Sequence, residues 1–164
     1  MAQPLVRVVN DEWRRIMRTV TSMGKQVVKI GVVGDEATNE VEPGITLARL
    51  AGVHEYGAAI QMKWGVLLIP ERSFIRSTIA TKKNYVDEIA KLVKAVVDGR
   101  ITEEVALNRL GARISGDVKA AIGKGIPPPN AETTIERKGS SKPLIDTGRL
   151  RSAVTWAVVP ARDR

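Results

Sequence analysis

Gln26-Val27-Val28-Lys29-Ile30-Gly31-Val32-Val33-Gly34 is a β-branched run that reads as a strand. On its N-terminal side, Trp13, Ile16, Met17, Val20 and Met23 recur at helical spacing, with Arg14, Arg15 and Arg18 on the other side. Asn10 or Asp11 is the expected cap of that helix, and Gly24 its stop. On the C-terminal side, residues 35–44 hold Asp35, Asn39, Pro43 and Gly44 and read as an exposed loop. Thr46 then opens a short helix from Leu47 to His54, closing near Tyr56-Gly57. Ile60, Met62, Trp64, Val66 and Leu68 alternate weakly, which predicts a second strand over 59–69, ended by Pro70.

From Ser73, the residues Phe74, Ile75, Ile79, Tyr85, Val86, Ile89, Leu92, Val93, Val96 and Val97 predict one long helix, broken at Asp98-Gly99. Thr102-Glu103-Glu104-Val105 starts another with acidic residues in its first turn, and its apolar positions run from Val105 to Ile122. Residues 123–146 show no period and contain Pro127-Pro128-Pro129-Asn130 and Gly139-Ser140-Ser141. A segment of this length without periodicity is uncommon in a compact domain, and it reads as an arm that orders on a partner. Residues 154–159 form a last strand, and 160–164 a short tail. Strands and helices do not alternate strictly. The expected fold is therefore α+β: a small, mostly antiparallel sheet packed against two long helices, with a long extended arm before the last strand. The whole of 1–164 is expected to be a single domain.

Composition excludes several kinds of chemistry. The 164 residues include no cysteine, which removes disulfides, thiolate nucleophiles, iron–sulfur clusters and thiolate zinc sites. His54 is the one histidine, so no site can use two imidazoles. Hydrophobic residues at 43% and charged residues at 27% fit a folded protein. The apolar stretches fall far short of the roughly 18 residues that span a bilayer, and no secretory apolar region follows the N-terminus. The chain is accordingly expected to be soluble and used without export. Its net charge is +8, with 14 basic and 11 acidic side chains in 1–98 and 12 and 7 in 99–164. The excess is spread out, denser toward the C-terminal third, and aromatics at 4% do not make a stacking platform for single strands.

No catalytic constellation stands out. Gly31-Val32-Val33-Gly34 lacks the three-glycine dinucleotide pattern. Gly123-Lys124-Gly125 has Val118 where a phosphate loop needs glycine, and Gly125 where it needs a hydroxyl. Ser22-Met23-Gly24-Lys25 has the Ser-x-x-Lys spacing of some hydrolases without its companion motifs. His54-Glu55 begins like a zinc-protease helix, but Ala58 occupies the place of the second histidine. Asp87-Glu88 and Glu103-Glu104 are adjacent on helices and point apart. No enzyme activity, cofactor or metal is expected.

Four blocks remain to be explained. They are His54-Glu55-Tyr56-Gly57; Pro70-Glu71-Arg72-Ser73-Phe74-Ile75-Arg76; Pro127-Pro128-Pro129-Asn130; and Thr134-Ile135-Glu136-Arg137-Lys138-Gly139-Ser140 through Pro143-Leu144-Ile145-Asp146-Thr147-Gly148-Arg149-Leu150. In type and order they resemble a family of tailed-bacteriophage virion-morphogenesis proteins of Mu-like and related phages, which assemble at the head–tail neck or complete the tail. The resemblance spans Leu47 to Ser152, roughly two thirds of the chain, and departs from the family at Ser73, where many relatives carry proline.

The resemblance implies a structural virion protein forming an oligomeric ring in the neck collar or at the head-proximal end of the tail. Its expected partners are its own copies, the head–tail connector, tail terminator or tube proteins, and genome DNA in transient non-specific contact. It would be made in the bacterial host cytoplasm and end in the virion. His54, Glu55, Tyr56, Gly57, Pro70, Arg72, Phe74, Asp146, Thr147 and Gly148 would be structural, with Gly57 left-handed at a helix end and Asp146 or Thr147 capping a short turn. Pro127, Pro128, Pro129, Asn130, Arg137, Lys138 and Lys142 would form the arm's contact with a neighbouring subunit or partner. Stiff prolines lower the entropy cost of such ordering. The alternative from charge alone is a sequence-independent DNA-binding module, and a hydrolase built on His54 or Ser22 is a third.

Overall fold

The computed structural model describes residues 5–63, 65–82 and 84–163. In chain order the elements are α1 (Leu5–Ser22), β1 (Gln26–Val32), a 3-10 turn (Asp35–Thr38), β2 (Glu40–Glu42), β3 (Ile45–Thr46), α2 (Leu47–Tyr56), β4 (Ala58–Met62) and β5 (Gly65–Ile69). There follow α3 (Arg76–Thr81), α4 (Tyr85–Val97), α5 (Glu103–Lys124), α6 (Glu132–Lys138), α7 (Arg149–Ala153), β6 (Val154–Pro160) and a closing 3-10 turn (Ala161–Asp163). The fold is α+β. Among the described residues its strands form three two-stranded sheets, β1–β6, β2–β3 and β4–β5. The chain divides into two compact units. One takes the described residues of 1–28, 84–110 and 158–164, and the other 29–83 and 111–157.

In the first unit α1 packs on α4. Arg15 Nη1 donates to the Val97 carbonyl at 3.0 Å, the Gly24 amide to Glu103 Oε1 at 2.8 Å, and the Ala161 amide to the Lys25 carbonyl at 2.8 Å. Among the described residues, Tyr85, Val96 and Ala106 are its buried apolar side chains. Trp13, Met17 and Val20 on α1, and Val86, Ile89 and Val93 on α4, stay exposed at helical spacing. The helix already runs at Leu5, so Asn10 and Asp11 lie inside it and are not its cap. Val8-Val9, poor helix formers, hide those first turns from a propensity reading.

The second unit holds the fully buried side chains Leu47, Phe74, Val118, Ile122 and Val154. Thr46 caps α2, its hydroxyl accepting from the Arg49 amide at 3.3 Å. Gly111 of α5 is buried against the Trp156 indole of β6, so close that no side chain fits between them. The strand expected over 59–69 is instead a hairpin: β4 and β5 pair antiparallel, from Ala58 opposite Ile69 to Met62 opposite Gly65. The turn lacks the Asn-Gly or Asp-Gly pair that marks most two-residue loops, so the alternation looks continuous. Trp64 lies outside the described residues. The loop expected over 35–44 contains the 3-10 turn and β2.

The helix expected from Ser73 to Val97 is two helices, broken at Lys82, whose backbone is extended (φ −93°, ψ 91°). Ser77, Thr78 and Thr81 hydroxyls bond the carbonyls four residues back, at Ser73, Phe74 and Ser77, and so compete with the helical ladder. Residues 123–146 are not extended throughout, because α6 lies within them. It has Glu132 in its first turn and Arg137 and Lys138 in its last, and it closes on left-handed Gly139, whose amide donates to the Ile135 carbonyl at 2.8 Å. The β-branched Thr133-Thr134-Ile135 masks this helix in the sequence.

Candidate functional site: the cluster around Glu55 and Arg72

Glu55 ends α2 with its carboxylate buried, 4% exposed. It accepts from the Ser73 hydroxyl at 2.9 Å, the Ile75 amide at 2.9 Å, the Arg76 amide at 3.0 Å and Arg76 Nε at 3.1 Å. The residue that opens α3, Ile75, has no side-chain cap of its own. A carboxylate from another helix therefore satisfies the amides that α3 leaves unpaired. Arg76 also donates Nη2 to the Glu55 carbonyl at 3.0 Å and to Glu71 Oε1 at 2.7 Å, and its guanidinium lies 4.5 Å from the Tyr56 ring centroid.

Arg72 is the second anchor, 6% exposed. Its amide donates to the His54 carbonyl at 2.7 Å. Its guanidinium reaches the proline segment: Nε to the Pro128 carbonyl at 2.8 Å, Nη2 to the Pro129 carbonyl at 3.0 Å and, at the limit of a bond, to Asn130 Oδ1 at 3.5 Å. Successive prolines have carbonyls but no amide donors, which suits a donor-only guanidinium. Asn130 Nδ2 in turn donates to the Ser141 carbonyl at 3.4 Å.

His54 and Lys138 complete a basic surround. Burial holds His54 below the usual imidazole range, and the Arg72 and Lys138 charges lower it further. Its Nδ1 is buried with no hydrogen-bond partner. Burial also lowers Lys138, with Asp146 opposing and Arg72 and Arg137 reinforcing the shift, and its Nζ donates to the Lys142 carbonyl at 3.4 Å.

The structure thus brings together His54, Glu55, Tyr56, Arg72, Pro128, Pro129, Asn130 and Lys138, from three of the four blocks and the start of the last. Pro128 and Pro129 are exposed, and their carbonyls accept from Arg72 within the same unit. Pro127, Arg137 and Lys142 are exposed, as are Pro70 and Asp146, while Phe74 is fully buried. Gly57 has positive φ but not the left-handed helical conformation: φ 73° and ψ 169° carry the chain straight into β4. A Cβ there would stand 3.0 Å from the Glu71 amide and the Ile69 carbonyl. Thr147 bonds the Arg149 amide at 3.5 Å, but the capping residue of α7 is Gly148, at φ 80°.

Ser73 and Arg76 belong to the cluster without having been singled out as site residues. Their position in the Pro70–Arg76 block, Arg76 one turn beyond Arg72, was the available signal. A groove of about 310 Å³ opens beside Glu55, Tyr56 and Arg76 and runs along the end of β1. Among the described residues no three His, Asp or Glu side chains gather as metal ligands, and no helix is long and apolar enough to cross a membrane. The chain matches no family model, no curated protein and no solved structure.

Proposed function

We propose that this chain is a structural virion protein of a tailed phage. Copies form a ring in the neck or at the head-proximal end of the tail, and DNA passes through its lumen. One observation carries the reading: the blocks that resemble the virion-morphogenesis family meet in one hydrogen-bonded cluster. Arg72 joins them across 56 and 57 residues of sequence to Pro128 and Pro129. Glu55, Arg72 and Arg76 are committed to holding loops, a scaffold's use of charged side chains and not a catalyst's. The exposed apolar side chains of α1, α4 and the β4–β5 hairpin supply surfaces for neighbours.

Light scattering of the purified chain, followed by negative-stain imaging, tests the reading. A ring with a central hole is expected, and its symmetry is read directly. A strict monomer that binds DNA in low salt would favour the sequence-independent DNA-binding module instead.

A further inference from the structure

Ile122 and Leu144 are both buried, and between them no side chain of residues 123–143 is, α6 included. The segment is a strap, fixed at both ends by apolar burial and held between them by polar contacts. Arg72 ties it to the body of its unit, through the Pro128 and Pro129 carbonyls and Asn130 Oδ1. The bonds of Asn130 to the Ser141 carbonyl and of Lys138 to the Lys142 carbonyl stay inside the strap. A segment with so little buried apolar surface belongs to the low-stability end of a fold, where opening is local.

His54 lies at this tie. Its carbonyl accepts from the Arg72 amide at 2.7 Å, and its buried Nδ1 has no hydrogen-bond partner. The charges that act on it come from two other elements and are both positive: Arg72, from the loop before α3, and Lys138, from α6. On its own helix, the neighbouring Glu55 carboxylate is taken up by Ser73, Ile75 and Arg76. Asp146, past the Leu144 anchor, acts on Lys138. A protonated imidazole donates from both ring nitrogens, so Nδ1 would become a buried donor without an acceptor, facing two cations. Arg72 is 6% exposed and two residues from the fully buried Phe74, so it withdraws only at the expense of the core. Lys138 withdraws easily, because no buried side chain holds α6 down.

We propose that residues 123–143 form a proton-operated latch, which swings open between Ile122 and Leu144 when His54 takes up a proton. The coupling is reciprocal: a closed strap that keeps the proton off His54 is itself pushed open by a protonated His54. The sign follows from the closed form. Burial first, then the Arg72 and Lys138 charges, hold the imidazole below its usual value of 6.5. Opening takes Lys138 away and admits water beside Arg72, so protons favour the open form below about pH 6.5. Once open, the strap is an arm free to order on a neighbour. The latch does not depend on the ring reading.

Hydrogen exchange read by mass spectrometry on the full chain tests it, between about pH 7.5 and about pH 5 and corrected for the intrinsic pH dependence of exchange. The opening equilibrium over 126–142 should rise a few-fold, and at most about 30-fold, the limit set by full return of the imidazole to 6.5. Amides of α5 around buried Ile114 and Val118 should not change. His54→Leu should abolish the rise, and Lys138→Met, at a half-buried strap position, should reduce it. A rise of equal size in α5 would mean global unfolding and would overturn the latch. So would a strap that exchanges no faster in acid, or a rise that survives His54→Leu. Should His54→Leu fail to fold, Lys138→Met decides, and an undiminished rise there overturns the proposal.

Discussion

Arg72 carries more of the second unit than its position in a loop suggests. Replacing it with alanine strips donors from the Pro128 and Pro129 carbonyls at once, and no neighbouring amide can take over in a proline run. Arg72→Ala is expected to cost about 3 kcal/mol in urea unfolding and to speed amide exchange selectively over 130–142. Arg72→Lys should recover only part of the loss, since an ammonium lacks the planar fork that reaches two carbonyls together. His54 gives the chain a pH response of known sign. Its folded value lies below the unfolded one, for burial first and the Arg72 and Lys138 charges second. Stability is therefore complete above the unfolded imidazole value of about 6.5 and falls as the unfolded chain takes up the proton below it. Urea midpoints should drop between about pH 7 and pH 5, and a His54→Leu variant should be flat across that window.

At the scale of elements, the contact of α5 with β6 depends on an absent side chain. Gly111→Ala pushes a methyl into the Trp156 ring, and the expected cost is about 2 kcal/mol with a change in Trp156 fluorescence. Elements that follow one period in the sequence were legible: β1, α2 with its Thr46 cap, α5 and β6 stand close to their expected places. Where the chain turned back without an Asn-Gly or Asp-Gly pair, or broke without glycine or proline, the pattern misled. The β4–β5 turn carries no turn pair, and the break at Lys82 follows Thr78 and Thr81, whose hydroxyls compete for the carbonyls four residues back. The Glu55–Arg72 cluster was half legible. Its blocks could be read from their order, but not that a carboxylate of α2 would cap α3, or that Arg72 would meet proline carbonyls. Such pairings are set by tertiary packing and leave no trace in local spacing.

At the scale of the molecule, the net charge of +8 is spread along the chain. The +8 balance has no dense stripe, and exposed Arg137, Lys142, Arg149 and Arg151 are spaced along the C-terminal third. Duplex DNA should bind weakly and without regard to sequence, losing most of its affinity between about 50 and 200 mM salt. Fluorescence anisotropy with two unrelated duplexes checks this, and a preference for one duplex would contradict it.

The hairpin's root has a mechanical meaning. The Arg72 amide bonds His54 before the ribbon begins, while Arg76 holds Glu55 on the near side and Glu71 on the far side. Both legs of the ribbon are thus clamped to the start of α3, and the β4–β5 hairpin is a cantilever with a stiff base. A pull at its tip is expected to load these bonds together, beside the fully buried Phe74.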